Sequence, residues 1–253
     1  MDRVPALLED MKSAVPPAEP DLVTYSTIVK GYCNSGCLDR ALQICKDMQS
    51  DRKLTPDEVM YNSLLDGCAK EHRPNDALKL LDDMKKQCVA PSNYTLSMVV
   101  KLMGRCRRLN QAFSIIEDLS REYGLKVNIQ VYTCLIQACF NNRQAAKAVA
   151  LHDQIIKEGL SPDEMTYSVL VQGSLKAGLV DKAVELTKFS LGPDAAKIRG
   201  APPGINAYCR DELASALGAA KAKALFAEAA AAAPRPKPSK GSGPTPPWRQ
   251  QKA

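Results

Sequence analysis

The side chains best suited to chemistry in this sequence are nine cysteines and two histidines. Zinc sites place cysteines in CxxC pairs or beside histidines at ligand spacing. No CxxC pair occurs, and the closest cysteines are helically spaced pairs without a histidine at ligand spacing: Cys33 with Cys37, and Cys134 with Cys139, against His72 and His152. We therefore predict no metal site and interpret the cysteines as free thiols, which act as small buried hydrophobes in a reducing compartment.

Two further catalytic patterns are missing from the 253 residues. A metal nuclease needs clustered carboxylates, and a zinc deaminase needs an HxE motif with a CxxC. We predict that the chain is not an enzyme, with no catalytic residue, no cofactor and no small-molecule substrate.

One short sequence motif occurs five times along the chain. Tyrosine occupies four of the five equivalent positions and leucine the other, at separations of 36, 35, 36 and 35 residues: Tyr25, Tyr61, Leu96, Tyr132 and Tyr167. A fixed period in this range predicts a solenoid, in which each unit buries its apolar face against its neighbours. Binding residues are then expected along a shared face of the stack.

Each unit has the pattern of two helices and a turn. The apolar residues of the first helix follow the i, i+3, i+4, i+7 spacing of one stripe: Tyr25, Ile28, Val29 and Tyr32. Gly36 is predicted to end this helix, and a second helix begins near Leu38. An alanine 16 residues after each tyrosine position predicts close helix approach: Ala41, Ala77, Ala112, Ala148 and Ala183.

These patterns predict an all-α α-solenoid of about five helix-turn-helix repeats of 35 to 36 residues, followed by a partly disordered tail. Residues 1–21 resemble the second half of a preceding repeat and a junction, so a longer array is expected to precede them. The predicted segments that follow are repeats 1 to 4 at 22–57, 58–92, 93–128 and 129–163, a truncated repeat 5 at 164–193, an Ala-rich candidate capping helix at 194–233, and a Pro-rich, basic, disordered tail at 234–253.

The repeated motif resembles the pentatricopeptide repeat of the P type, a helical hairpin of about 35 residues. Residues 23–36, followed by Ala41, Leu42 and Met48, carry the resemblance, and residues 59–67 and 165–173 match equally well. The resemblance covers about residues 1–190 and implies a right-handed superhelix. The tetratricopeptide repeat is the competing family, but its unit is 34 residues long. The spacing here never falls to 34, and the early Trp and Gly signature of that family is missing.

The resemblance implies recognition of single-stranded RNA, one base per repeat. In the family, one base reader follows the tyrosine position and the second closes the unit. The pairs are Ser26 with Asp57, Asn62 with Ser92, Ser97 with Asn128, and Thr133 with Asp163, while the partner of Ser168 stays open. By the family's correspondences, Ser or Thr with Asp reads guanine, Ser with Asn adenine, and Asn with Ser cytosine or uracil. Because the N-terminal repeat takes the 5′ base, the expected core is 5′-G-C/U-A-G-3′, followed by a purine.

A third family position, two residues before the tyrosine, places a side chain between successive bases. The residues at this wedge position are Val23, Val59, Tyr94, Gln130 and Met165. Tyr94 can stack on a base, whereas Gln130 departs from the apolar pattern and Leu96 replaces the tyrosine of the third unit.

Positive charge is concentrated on the first helices of the units. The net charge of +6 comes from residues 194–253, so residues 1–193 are neutral overall. Within residues 1–193, the first-helix segments hold nine Lys and Arg against two acidic residues. Phosphate binding requires a basic face of this kind, and the best candidates share one register: Lys70, Arg105 and Lys176. A solvated helix end is the alternative interpretation.

The resemblance therefore implies a sequence-selective binder of single-stranded RNA that acts in organellar RNA processing, stabilisation or translation, with other RNA-processing proteins as further partners. The alternatives are a protein-interaction scaffold and the RNA-binding part of a larger RNA-processing enzyme. The family implies a mitochondrion or chloroplast, although the first twenty residues show no transit peptide, which leaves the cytoplasm and nucleus open. No run of about 18 apolar residues occurs, so no membrane partner is expected.

Overall fold

The computed structural model describes residues 3–15, 18–51, 54–192 and 203–232, and within these ranges it contains thirteen α-helices and no β-strand. The helices are α1 (Val4–Ser13), α2 (Leu22–Asn34), α3 (Leu38–Asp51), α4 (Glu58–Lys70), α5 (Pro74–Lys86), α6 (Asn93–Arg105), α7 (Leu109–Tyr123), α8 (Ile129–Asn141), α9 (Ala145–Lys157), α10 (Glu164–Lys176), α11 (Val180–Leu191), α12 (Ala207–Leu217) and α13 (Ala219–Ala232). The fold is an all-α solenoid of helical hairpins. The predicted disordered tail at 234–253 lies outside the described residues.

A short polar residue caps the first helix of each of five hairpins. The caps of α2, α4, α6, α8 and α10 are Asp21, Asp57, Ser92, Asn128 and Asp163. Each cap accepts a hydrogen bond from a backbone N–H of the first turn, at 2.8 to 3.1 Å. Such a cap stabilises a helix by about 1 kcal/mol. Four of these five residues are also predicted base readers.

The first helices form one layer of the solenoid and the second helices form the other. We term α2, α4, α6, α8 and α10 the A row, because each contacts the next directly, while α3, α5, α7, α9 and α11 pack on their own first helices. The five alanines of the period are fully buried, at 0 % exposure. The residues at the tyrosine position are buried too. The small alanine side chain therefore permits close helix packing, as predicted.

Contacts within the A row also require glycine. A Cβ atom on Gly104 of α6 would lie 2.6 Å from the Cβ of Ala138 on α8. A Cβ on Gly173 of α10 would lie 2.2 Å from the ring of Phe140. Neighbouring first helices thus approach too closely for a side chain at these two positions.

The turn inside each of the five hairpins contains one residue in the left-handed conformation. These residues have φ between 55 and 76°, and their spacing follows the sequence period: Gly36, His72, Arg107, Arg143 and Gly178. Gly36 was predicted to end its helix, and it does. The left-handed region costs a non-glycine residue roughly 1–2 kcal/mol, so the three middle turns carry strain that the first and fifth avoid.

Residues 203–232 form a sixth hairpin at the end of the stack. Helix α12 packs on α10, and α13 packs on α11, so both layers continue. Cys209 and Leu213 of α12 and Leu225 of α13 are buried in the same core as the preceding hairpins. The segment predicted to hold a candidate capping helix therefore contains two helices.

All nine cysteines are free thiols. Burial raises the pKa of Cys33 and Cys139 to about 11 and that of Cys45 and Cys68 to about 12. These four thiols are therefore protonated and unreactive at neutral pH. Among the described residues, no group of three His, Cys, Asp or Glu side chains could hold a metal ion, and no helix is long and apolar enough to cross a membrane.

Candidate nucleic-acid interface

A groove of about 720 Å³ opens between α6, α8 and α10, and we term it the central groove. Residues from all three predicted classes line it: the readers Thr133, Asp163 and Asn128, the wedge residues Gln130 and Met165, and the basic residues Lys101 and Arg105. The A row thus brings one complete reader pair, Thr133 with Asp163, to the same surface as two wedge residues and two cations.

Two further grooves lie on the A row, one on each side of the central groove. The N-terminal groove, of about 380 Å³, is lined by Asn62, the wedge residues Val59 and Tyr94, and the charged residues Lys30, Glu58 and Asp66. The C-terminal groove, of about 640 Å³, is lined by Arg143, Lys176, Phe140, Gln172 and others, without a carboxylate. The grooves of the A row therefore become more basic toward the C-terminal end.

The cap bonds determine which atom each junction residue can offer to a ligand. Asp57 and Asp163 accept the backbone N–H through Oδ1, which leaves the acceptor Oδ2 for other partners. Asn128 also uses Oδ1, so its Nδ2 amide is left as a donor. The Ser92 hydroxyl accepts from the Tyr94 N–H and keeps its own proton to donate. Each junction residue therefore presents a defined hydrogen-bonding type.

The readers on the first helices are less accessible than the junction residues. Ser97 and Ser168 are only 1 % exposed and Asn62 is 8 % exposed. The hydroxyl of Ser97 donates to the carbonyl of Asn93 at 2.9 Å, and that of Thr133 donates to the carbonyl of Ile129 at 2.8 Å. The junction residues are only half buried. They consequently offer the more accessible polar atoms of each pair.

The polar groups of Asn62 and Ser26 have contrasting surroundings. Asn62 donates to Glu58 at 3.1 Å and accepts from Thr95 at 2.8 Å, so both ends of its amide already have a partner. The Ser26 hydroxyl is buried and has no hydrogen-bond partner among the described residues. A hydrogen bond from Ser26 to a ligand would therefore break no hydrogen bond to a described residue, but the hydroxyl must first become exposed.

The wedge residues form a line of exposed side chains on the A row. Val23 is 71 % exposed, Val59 63 %, Tyr94 53 % and Met165 60 %. Gln130 is exposed at the equivalent place. Four large apolar side chains at one repeated register of the surface are typical of a contact surface. The positions are suitable for stacking against bases.

The three predicted phosphate contacts differ in how far their charge is already neutralised. Lys70 forms an ion pair with Asp66 at 2.7 Å and donates to Asn34 at 2.9 Å. Among the described residues, Arg105 has no polar contact other than a 3.4 Å hydrogen bond to the carbonyl of Ala69. Lys176 is exposed and has no ion pair with any described residue. Of the three, Arg105 in the central groove and Lys176 in the C-terminal groove are therefore more available to a ligand than Lys70.

Two other basic residues of the first-helix segments have contrasting roles. Arg73 contacts Asp39 and Asp76, which raise the pKa of its guanidinium. The positive charge of Arg73 is therefore neutralised by carboxylates of the protein itself. Arg143 instead lines the C-terminal groove and forms no ion pair with a described residue. Arg143 was not singled out from the sequence as a ligand contact. The available signal was its position in the unit, which is equivalent to that of Gly36 in the first turn.

The geometry described so far defines a class of protein, an α-solenoid of paired helices with a basic groove along one layer. Sequence comparison identifies the family. A family model described as PPR repeat family matches residues 56–105 and 127–176, and two models described as PPR repeat match residues 18–49 and 165–188. Together they cover more than half of the chain. The chain belongs to the pentatricopeptide repeat family.

Relatives in Arabidopsis thaliana include a chloroplastic pentatricopeptide repeat-containing protein, 25 % identical over 80 % of this chain and 26 % of its own length. A mitochondrial one is 28 % identical over 49 % of this chain and 27 % of its own length. The chain spans about a quarter of the length of these relatives.

Solved structures of the family have the same fold. PPR10 in complex with an 18-nt psaJ RNA element aligns with a TM-score of 0.65 at 23 % identity, over 90 % of this chain and 31 % of that one. The PPR domain of Arabidopsis protein-only RNase P 1, in complex with tRNA, aligns with a TM-score of 0.56 at 15 % identity, over 75 % of this chain and 95 % of that one.

Proposed function

We propose that this protein binds single-stranded RNA along the A row, one base per hairpin. The central groove is the observation that carries the proposal, because base-reading, stacking and phosphate-binding side chains line one surface there. RNA recognition needs these three contacts together: hydrogen bonds to a base edge, a surface for its face, and cations for the backbone.

The cap bonds supply a chemical reason for the expected base preferences. The Watson–Crick edge of guanine carries N–H donors, which match the Oδ2 acceptor of Asp57 or Asp163. Adenine carries an acceptor at N1, which matches the Nδ2 donor of Asn128. A serine hydroxyl can donate to cytosine or accept from uracil, so Ser92 tolerates both. The proposed core is therefore 5′-G-C/U-A-G-3′.

Affinity is expected to be moderate. A stacked base contributes about 1–3 kcal/mol, and ordering the RNA offsets part of this gain. The phosphate contacts we propose are Arg105, Lys176 and Lys70. Lys70 is expected to contribute least, because its ion pair with Asp66 must be disrupted or shared.

We also propose that the protein acts on organellar transcripts. Two of its relatives are chloroplastic and mitochondrial proteins, and PPR10 has been crystallised with RNA. In this proposal the chain stabilises, masks or delivers an RNA, alone or with other RNA-processing proteins. No catalytic step is assigned to it.

The experiment that tests the proposal compares labelled single-stranded RNAs of equal length at fixed salt. One contains 5′-GCAG, one a scrambled core, and one is 5′-GCAG annealed to its complement. We expect the single-stranded 5′-GCAG RNA to bind about tenfold or more tightly than either of the other two. Equal binding to the native and scrambled cores would reject the base assignments.

The triple variant Lys70→Ala, Arg105→Ala, Lys176→Ala supplies the control for a protein-interaction scaffold. If it loses RNA in a pulldown but keeps its protein partners, the RNA-binding function is supported. Loss of protein partners with RNA binding retained would support the scaffold instead.

A further inference from the structure

The sixth hairpin repeats the cap and the exposed wedge position of the five before it, although the family models end at residue 188. Asn206 caps α12 by accepting the backbone N–H of Cys209 at 2.8 Å, as Asn128 caps α8 at 3.1 Å. The Asn206 amide is therefore left with its Nδ2 donor, as in Asn128. The sequence period did not reveal this cap, because 43 residues separate Asn206 from Asp163.

Tyr208 occupies the wedge position of this hairpin. It lies two residues after the cap, as do Val59 after Asp57 and Met165 after Asp163. Tyr208 is 64 % exposed, within the range of the other wedge residues. Its hydroxyl bonds Glu212 one turn later, which raises the pKa of the phenol. A flat aromatic ring is therefore exposed at the end of the wedge line.

The hairpin is held together, and joined to the fifth hairpin, by contacts that do not involve Tyr208. The Arg210 guanidinium lies 5.7 Å from the ring centre of Phe226 on α13, and its Nε donates to the carbonyl of Ile205 at 3.2 Å. The backbone N–H of Asn206 donates to the Ser168 hydroxyl at 3.0 Å. This bond places Asn206 directly beside the fifth reader, whose partner the sequence left open.

We propose that the sixth hairpin extends the RNA-binding surface by one base on the 3′ side of the core. In this proposal Ser168 and Asn206 form the fifth reader pair, and Tyr208 stacks on the base that they hold. The pair has the same residue types as Ser97 with Asn128, so it selects adenine, and the extended site is 5′-G-C/U-A-G-A-3′. This inference rests on the proposed function.

The first test measures how much affinity the extra base contributes. RNAs with identical 5′ flanks end either at the last G of 5′-GCAG or at the A of 5′-GCAGA. We expect the wild-type protein to bind the longer RNA about 5- to 100-fold more tightly. Tyr208→Ala should lose most of this gain and bind the shorter RNA normally. Tyr208→Phe, which retains the ring, should behave as wild type.

The second test exchanges the preferred base without disturbing the fold. Asn206→Asp keeps a cap of equal quality and converts the pair to the types of Ser26 with Asp57. The variant should prefer 5′-GCAGG to 5′-GCAGA, the reverse of wild type. A thermal melt checks that both proteins are equally folded.

The outcomes distinguish the inference from the function on which it rests. Two results would reject the role of the sixth hairpin and leave the proposed 5′-GCAG site standing. In the first, wild type selects 5′-GCAG but gains no affinity from the added A. In the second, Tyr208→Ala keeps the gain in affinity. If wild type binds RNA without sequence selection and Tyr208→Ala still removes the added affinity for the longer RNA, stacking by Tyr208 is supported and the base assignments are rejected. If wild type binds no RNA, both proposals are rejected.

Discussion

The N-terminal and C-terminal grooves are built from equivalent hairpins but differ in charge. Lys30 shares the N-terminal groove with the carboxylates of Glu58 and Asp66, whereas no carboxylate lines the C-terminal groove beside Arg143 and Lys176. The wedge side chains are exposed in both halves. In the proposed function, the repeat supplies a constant spacing of base sites, while the charge around each site sets how strongly the RNA backbone is attracted there.

This difference predicts an unequal contribution from the two ends of the RNA. Since the N-terminal repeat is expected to take the 5′ base, the 3′ half of the site should supply most of the salt-dependent affinity.

The largest expected effect comes from removing the cations of one groove at a time. Arg143→Ala with Lys176→Ala should weaken binding of 5′-GCAG RNA about tenfold or more near 0.1 M salt. The salt slope should fall by about 0.7 for each phosphate that the variant no longer neutralises. Lys30→Ala with Lys70→Ala removes the same charge from the N-terminal groove, which Lys30 lines, and from Lys70 at its edge. This variant should cost less than about threefold, because Asp66 of that groove already neutralises Lys70. Equal decreases in affinity in a filter-binding titration would remove the distinction between the grooves.

A smaller effect is expected from glycine substitutions that distinguish the contribution of the Arg143 charge to RNA binding from the backbone strain at this position. Arg143 and Arg107 both adopt the left-handed conformation, with φ of 59 and 58°, but Arg143 alone of the two lines the C-terminal groove. Glycine at either position should stabilise the fold by about 1 kcal/mol, because it relieves the strain. Arg143→Gly should nevertheless weaken RNA binding about threefold, and Arg107→Gly should not. If both variants lose affinity equally, only net charge matters.

The smallest effect concerns the core beneath the C-terminal half. His152 is buried between the rings of Tyr167 and Phe189, and burial lowers its pKa despite the neighbouring Asp153. The unfolded chain then binds a proton below about pH 6.5 that the folded chain resists, so stability falls as the pH drops through that range. The slope cannot exceed about 1.4 kcal/mol per pH unit for one group.

His152→Leu introduces the residue type that Leu81 supplies at the same register. Thermal melts of the two proteins at pH 7.5 and 5.5 should differ in their pH dependence, with the smaller decrease in the variant. Parallel profiles would show that His152 does not titrate on unfolding.

Much of the fold was predictable because its determinants are local. The caps, the apolar stripes and the buried alanines all recur at one period, so a single unit predicts its neighbours. The left-handed turns at His72, Arg107 and Arg143 were missed, because only the first and fifth turns carry the glycine that signals this conformation. Their spacing from Gly36 was the available signal.

The candidate site was predictable in position but not in accessibility. Register placed the wedge residues on the exposed surface, but the burial of Ser97 and Ser168 depends on packing between neighbouring first helices. The ion pair of Lys70 with Asp66 could have been anticipated from the four-residue spacing. The sixth hairpin could not be anticipated from the period, because residues 193–202 interrupt it and Arg210 stands at the tyrosine position.

The most direct measurement exchanges one junction residue in the central groove and tests the matching RNA. Asp163→Asn keeps the Oδ1 cap of α10 but replaces the outward acceptor with an amide donor. Four affinities are measured, those of wild type and variant for 5′-GCAG and 5′-GCAA. We predict that wild type prefers 5′-GCAG and the variant prefers 5′-GCAA, each by about tenfold. If both proteins prefer the same RNA, the junction residues do not read bases and the central claim is wrong.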